Sequence, residues 1–97
     1  MPPEHAQDLA QIDVLTVLQA LSDPVRLGIV RQLAERQCMC GQLDVPVGKS
    51  TASHHLKTLA KAGVTAEREE GTAKYLRLRR EELEERFPGL LESVLRA

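Results

Sequence analysis

The sequence predicts a mainly α-helical domain with one two-stranded β-hairpin, in the order α-α-α-α-β-β-α. Apolar residues recur at helical spacing in four segments before residue 63 and again after residue 80. Between them, two short segments typical of strands flank Glu70-Gly71-Thr72, where the glycine supplies the backbone freedom that a tight turn needs. A chain of 97 residues, 42% hydrophobic, has the length of one domain, which we assign to 1–97.

The first two helices have recognisable starts. Apolar residues at helical spacing predict a first helix over about 8–21. The Ser22-Asp23-Pro24 stretch follows, in which the serine or the aspartate fits the N-cap and the proline fits the first turn. The second helix is therefore expected to run to about Glu35.

A short and a long helix come next. Gly41 to Val45 favours a short helix, which Pro46 would stop because proline lacks a backbone donor. Lys49 to Ala62 carries one apolar stripe, with Ser50 as a candidate N-cap, and Gly63 is placed to end the helix.

The wing and the tail complete the chain. Strands are expected at Val64 to Glu69 and at Lys74 to Leu78, with Arg68, Lys74, Arg77 and Arg79 on the hairpin surface. A final helix over about 80–96 is expected to kink or break at Pro88-Gly89.

Charge is unevenly distributed along the chain. The net charge is −1, but residues 49–79 carry seven Lys and Arg against three acidic residues. Acidic residues exceed basic ones on both sides of this segment. A basic middle segment suggests a surface that faces phosphates, although a solvated charged face would look the same.

The predicted elements follow the order of a winged helix-turn-helix: a short helix, a turn, a longer helix and a basic hairpin. The second helix of this motif fits a DNA major groove. The segments 22–27, 49–59, 62–64 and 68–75 (SDPVRL, KSTASHHLKTL, AGV and REEGTAKY) closely resemble the ArsR/SmtB family of transcriptional regulators. The resemblance covers roughly residues 14–78. It implies a helix-turn-helix at about 40–62, a wing at about 64–78 and dimerising helices at about 8–21 and 80–96.

The resemblance makes Lys49 to Ala62 the recognition helix of a sequence-specific DNA-binding regulator. Short hydroxyl side chains and lysines at its start also suit phosphates and base edges on chemical grounds. His55 falls on the apolar side and is expected to be a hydrogen-bonded scaffold residue, whereas His54 faces outward. The predicted DNA-binding residues are Lys49, Ser50, Thr51, Ser53, His54, Lys57, Arg68, Thr72 and Lys74.

A homodimer is expected, with two recognition helices in successive major grooves of an operator in double-stranded DNA. The terminal helices are too short to bury their apolar stripes within one chain, so they are expected to join the protomers. Monomer core is the alternative for these residues. The predicted dimer interface comprises Leu9, Ile12, Leu15, Leu90, Leu91 and Val94.

Cys38 and Cys40 are the candidate metal ligands, since family members commonly respond to a metal or a thiol-reactive signal. Thiolates favour soft or borderline ions, so nickel, zinc or arsenite is the candidate effector of a metal- or thiol-responsive repressor. Two thiolates are short of a four-ligand site, which His5, Asp8 or the partner chain would have to complete. The alternative is a regulator that has lost metal sensing, with structural thiols.

Two further functions compete with DNA binding. A thiol redox protein using Cys38 and Cys40 lacks the Cys-x-x-Cys motif and the βαβ frame of that class, and no catalytic triad or phosphate loop indicates an enzyme. A helical interaction module without DNA binding is the other. Neither a secretory pattern nor a membrane-length apolar stretch is present, so we expect a cytoplasmic protein without membrane contact.

Overall fold

The computed structural model describes residues 4–97, with the exception of the side chains of Met39 and Cys40. Within residues 4–97, five α-helices, four strands of one antiparallel sheet and two 3₁₀ turns follow one another around a single core. No helix within the described range is long and apolar enough to cross a membrane. In chain order the elements are β1 (Glu4–His5), a 3₁₀ turn (Leu9–Gln11), α1 (Val14–Leu21), α2 (Pro24–Glu35), β2 (Cys38–Met39), a 3₁₀ turn (Cys40–Gln42), α3 (Lys49–Lys61), β3 (Thr65–Glu70), β4 (Ala73–Leu78), α4 (Arg80–Arg86) and α5 (Leu90–Arg96).

Aspartates start the first two helices. Asp13 accepts a hydrogen bond from the Leu15 amide at 2.8 Å, and its extended backbone separates α1 from the preceding 3₁₀ turn. The predicted helix over about 8–21 is therefore wrong in its first six residues, because an N-cap aspartate there starts a new helix. Asp23 caps α2 in the same way, and Pro24 occupies the first turn as predicted.

The short helix predicted at Gly41 to Val45 is also wrong, since only a 3₁₀ turn forms at Cys40–Gln42. The Gln32 side chain accepts a hydrogen bond from the Asp44 amide at 2.9 Å and donates one to the Asp44 carbonyl at 2.8 Å. These bonds occupy the backbone groups that a helical turn would use. Residues 43–48 therefore run as an irregular loop into α3.

The long helix is confirmed as α3, but Ser50 is not its N-cap. Gly48 holds that position, with no side-chain cap bond. At the other end Gly63 has a φ of +79°, and the Val64 amide donates to the Leu59 carbonyl at 3.0 Å, which closes the helix end.

The predicted hairpin is present, and the sheet is wider than predicted. Strands β3 and β4 pair in register from Thr65 with Leu78 to Glu70 with Ala73, leaving a two-residue turn in which Gly71 has a φ of +60°. The strand order is β1-β3-β4-β2. Both outer strands have only two residues, too few for an alternating pattern in the sequence.

The core is aliphatic and lies between the helices and one face of the sheet. Its fully buried side chains come from every layer: Val17, Ile29, Val30, Leu59, Val64, Leu76 and Leu83. The predicted break at Pro88-Gly89 is confirmed, and Gly89 has a φ of +79° where α4 ends and α5 begins.

Four charged residues join the base of the wing to the N-terminal segment and to α4, and we call Glu4, Arg77, Arg79 and Glu82 the wing-base cluster. Arg77 pairs with Glu4 at 2.6 Å and with Glu82 at 2.7 Å. Arg79, only 7% exposed, donates to the Gln7 carbonyl at 2.7 Å. The prediction that Arg79 decorates the hairpin surface is therefore wrong, because its guanidinium satisfies backbone carbonyls.

The wing-base cluster predicts a loss of stability in acid. Hydrogen bonds from Arg77 hold the pKa of Glu82 at about 2, below the usual glutamate value of 4.5, and also lower the pKa of Glu4. A carboxylate whose pKa is lower in the folded state stabilises the fold fully above its unfolded pKa, and this contribution disappears as the pH falls to the folded value. Between pH 4.5 and 2 the melting temperature should therefore fall more steeply for the wild type than for Glu82→Gln. Melting temperatures that fall equally steeply for the two proteins, followed by circular dichroism, would contradict this assignment.

Candidate nucleic-acid interface

Helix α3 presents one face to the core and one to solvent. Leu59 is fully buried, and Ala52 and Leu56 are half-buried against the core. The opposite side is exposed along the first two turns and beyond. All six predicted DNA-binding residues of this helix are exposed: Lys49, Ser50, Thr51, Ser53, His54 and Lys57.

The start of α3 suits a phosphate group. The first-turn amides of a helix lack intrahelical acceptors, and Gly48 has no side chain to accept from them. The partial positive charge of the helix start adds to the charge of Lys49. A phosphate oxygen placed here would accept amide hydrogen bonds from an exposed element.

His55 is held on the inner side of α3, which confirms the predicted scaffold role. Its Nδ1 lies 3.1 Å from the Arg26 Nη1 atom and 4.0 Å from the Asp23 carboxylate. Because a guanidinium only donates, Nδ1 is the acceptor, so the neutral ring carries its proton on Nε2. His54, one residue earlier, is exposed, so the two neighbouring histidines lie in different environments.

Arg26 joins three helices. Its Nε donates to the Ala20 carbonyl at 2.6 Å and its Nη2 to the Gln19 carbonyl at 3.3 Å, so it closes the end of α1 while contacting His55 of α3. Asp23 in turn accepts from the Arg26 amide at 3.0 Å, which lowers the pKa of its carboxyl group. Arg26 was not among the predicted site residues, although it lies in the SDPVRL segment.

The predicted wing residues lie on different faces of the hairpin. Thr72 is exposed in the turn, and Lys74 lies 3.7 Å from Glu67 on the side that faces α3. Arg68 lies on the other face, 3.0 Å from Glu70 and with its guanidinium 4.8 Å from the centre of the Tyr75 ring. Arg68 thus makes its contacts away from α3, with a further hydrogen bond to Gln37 at 3.5 Å, whereas Thr72 and Lys74 extend the exposed surface of α3.

The predicted dimer residues divide between core and surface. Leu9 and Leu91 are 7% and 2% exposed, so the prediction that they form a surface is wrong: their own chain already buries them. Ile12, Leu90 and Val94 are half-buried against the same core. Leu15 is 61% exposed, and it shares the outer face of α1 with Val14 and Leu18, each 38% exposed.

The two cysteines lie at an edge of the sheet. Cys38 pairs with Leu76 of β4 and is 6% exposed, with its Sγ 3.5 Å from the Arg36 carbonyl oxygen. The side chain of Cys40 lies outside the described part of the molecule. His5 is in β1 at the opposite edge, with two strands between, so it cannot complete a site at Cys38 in the same chain. Among the described residues no group of three or more His, Cys, Asp and Glu side chains could hold a metal.

Removal of the Arg26 guanidinium should weaken the junction of the three helices. We expect Arg26→Met to lower the free energy of unfolding by roughly 2–3 kcal/mol, since it removes charged hydrogen bonds to half-buried acceptors. His55→Phe leaves the bonds to α1 intact and should cost about 1 kcal/mol. Arg31→Met is the matched control, because exposed Arg31 of α2 donates to the carbonyl of the terminal Ala97. Equal urea midpoints for the two arginine variants would contradict the role of Arg26.

Known proteins match both the sequence and the fold. A family model described as a helix-turn-helix domain matches residues 21–68. The uncharacterized HTH-type transcriptional regulator YceK of Bacillus subtilis (strain 168) is 39% identical over 80% of this chain and 82% of its own length. The Cadmium resistance transcriptional regulatory protein CadC homolog of Staphylococcus aureus is 37% identical over 74% of this chain and 64% of its own.

A solved structure agrees with these relatives. The transcriptional repressor BigR from Xylella fastidiosa superposes with a TM-score of 0.63 at 29% identity, covering 76% of this chain and 85% of that one. The related proteins are transcriptional regulators rather than enzymes. The segments quoted from the sequence, the winged helix-turn-helix fold and these relatives together show that the chain belongs to the ArsR/SmtB family of transcriptional regulators.

Proposed function

We propose that the chain is a homodimeric, sequence-specific repressor that places α3 in the major groove of an operator. The observation that carries the proposal is the exposed row of lysine, hydroxyl and imidazole side chains on α3, next to an uncapped helix start. The related BigR is described as a repressor, which favours repression over activation.

The side chains divide by the part of DNA that they suit. Lys49, Lys57 and Lys74 carry charge that phosphates would neutralise. Thr51, Ser53 and His54 are short or planar groups that donate to and accept from base edges. Preference for the operator sequence should therefore depend on Thr51, Ser53 and His54. Overall affinity for DNA should depend on the three lysines.

Matched variants test these roles. Lys57→Ala should weaken binding to operator and scrambled duplexes alike and reduce the salt slope by about 0.9. His54→Ala or Thr51→Ala should mainly lower the preference for the operator, by roughly 1–3 kcal/mol for each base that is no longer recognised. Fluorescence anisotropy across a salt series measures both quantities, with Arg31→Met as a charge-matched control away from α3. Equal loss of affinity and preference in both classes of variant would overturn the assignment.

The exposed apolar face of α1 favours a dimer through this helix. Val14, Leu15 and Leu18 form a continuous stripe beside the half-buried Ile12, and water would be excluded from it by a second copy. In such a dimer two copies of α3 would lie about 34–36 Å apart, one turn of DNA, and the operator would be an imperfect palindrome.

A charge in the middle of this stripe should separate the protomers. Leu15→Asp is expected to be a monomer at concentrations where the wild type is a dimer, because a buried carboxylate has no partner there. Thr16→Asp, on the other exposed flank of α1, should remain dimeric. Sedimentation velocity distinguishes the two. A dimeric Leu15→Asp protein or a monomeric wild type would rule out this interface.

A thiol-binding effector is proposed as the signal. Cys38 is buried and its strand is paired with β4 of the wing, so a soft ion that draws its thiolate outward would disturb the wing. The similarity to a cadmium-resistance regulator supports this class of effector, with nickel, zinc and arsenite as further chemical candidates. Cys40 and the partner chain would have to supply the remaining ligands. The burial of Cys38 equally favours the alternative, a regulator without metal sensing.

Titration of the protein–DNA complex with cadmium, zinc, nickel and arsenite separates the two cases. A responsive regulator should lose at least about tenfold in DNA affinity, a coupling of about 1.4 kcal/mol, and show thiolate-to-metal absorption. Cys38→Ser and Cys40→Ser should each abolish the response while the effector-free protein still binds DNA. Unchanged affinity with all four, and no such absorption, would leave a regulator that has lost metal sensing.

A further inference from the structure

An apolar groove of about 440 Å³ lies between the first half of α3 and the wing, open to solvent. We call it the wing groove. Its floor is formed by the loop 43–48 and the inner flank of α3, and its rim is charged. The floor residues are Leu43, Val45, Val47, Ala52 and Leu56, and the charged rim residues are Lys49, Lys57, Glu67 and Lys74.

The floor of the wing groove is loosely packed. Its five apolar residues are all half-buried. A further small pocket of about 30 Å³ is lined by four of these residues and by Ile29 of the core. Water in this pocket would find few hydrogen-bond partners, because the five lining side chains are all apolar. An apolar group on this floor would therefore make contacts that the chain itself does not provide.

The rim of the wing groove favours an anion. Glu67 is its single carboxylate and already lies 3.7 Å from Lys74. Within the described part of the chain, neither Lys49 nor Lys57 forms an ion pair with a carboxylate. Two lysines are thus available beside an apolar floor.

We propose that the wing groove binds a small amphipathic anion, an aromatic or branched aliphatic carboxylate or sulfonate. Its apolar body lies on the floor and its charged end lies between Lys49 and Lys57. The groove volume is within the range of about 300–1,000 Å³ that is usual for small-molecule sites. Binding of this anion would regulate DNA binding, because Lys49 and Lys57 are also assigned to DNA and the anion and the operator would compete for them. Only this competition rests on the proposed function.

The binding test uses the free protein and the fluorescent anion 1-anilinonaphthalene-8-sulfonate, with neutral N-phenyl-1-naphthylamine as the uncharged comparison. One sulfonate should bind per chain, and more tightly than the neutral amine. Lys49→Ala should weaken the sulfonate by about twofold to fivefold, the range for a solvent-exposed charge. Lys61→Ala removes the same charge from the same helix but outside the groove, and should leave the affinity unchanged. Val47→Glu, which puts a carboxylate on the floor, should abolish binding.

Equal affinities for the two lysine variants, or binding that survives Val47→Glu, would place the probe elsewhere, for example on the apolar face of α1, and overturn the proposal. Circular dichroism of each variant shows whether it is folded. If Val47→Glu does not fold, the comparison of Lys49→Ala with Lys61→Ala still decides.

Competition with DNA is measured separately. Duplex DNA at low salt should displace the sulfonate from the wild type. If the protein binds duplex but not the sulfonate, the groove site is wrong and the regulator stands. If it binds the sulfonate at the groove but no duplex, the groove site stands and the proposed function fails. If duplex and sulfonate bind at the same time and neither lowers the affinity of the other, the proposed competition is wrong.

Discussion

The junction made by Arg26 holds α3 against α1 and α2. The Arg26 guanidinium donates hydrogen bonds to carbonyls at the end of α1 and to the His55 imidazole on the inner side of α3. The backbone amide of Arg26 donates to Asp23, the N-cap of α2. Without this guanidinium, the carbonyls at the end of α1 and the imidazole of His55 would lose this polar partner in a half-buried space, which is costly. The exposed face of α3 is therefore oriented by contacts on the opposite side of the helix.

The wing is fixed at its base and along both edges. Strand β1 lies along β3 and strand β2 along β4, and the wing-base cluster connects the same hairpin to α4. The tip beyond these contacts is free, with Thr72 in the turn. Such an arrangement separates a base that is held near α3 from a tip that has fewer contacts with the rest of the domain. If the wing contacts DNA as proposed, such a tip could follow a DNA groove of varying width.

Periodicity in the sequence located α2, α3, the hairpin and the break at Pro88-Gly89, because each has several residues in a regular pattern and a clear terminus. It failed where a single side chain redirected the backbone. Asp13 divided one apolar stripe into a 3₁₀ turn and a helix, and Gln32 removed the short helix by binding Asp44 across twelve residues. Two-residue strands and the partners of Arg26 and Arg79 depend on distant contacts, which no local pattern contains. The inner role of His55 was predictable because its neighbours on the stripe are apolar.

Gly48 leaves the first turn of α3 without a side-chain cap. In many helices an N-cap side chain of the same protein accepts a hydrogen bond from the first-turn amides. In α3 the acceptor would instead be a phosphate of the duplex. Phosphate binding would then order this first turn, and part of the free energy of binding would be spent on that ordering. The rigidity of the start of α3 would be a property of the complex rather than of the isolated protein.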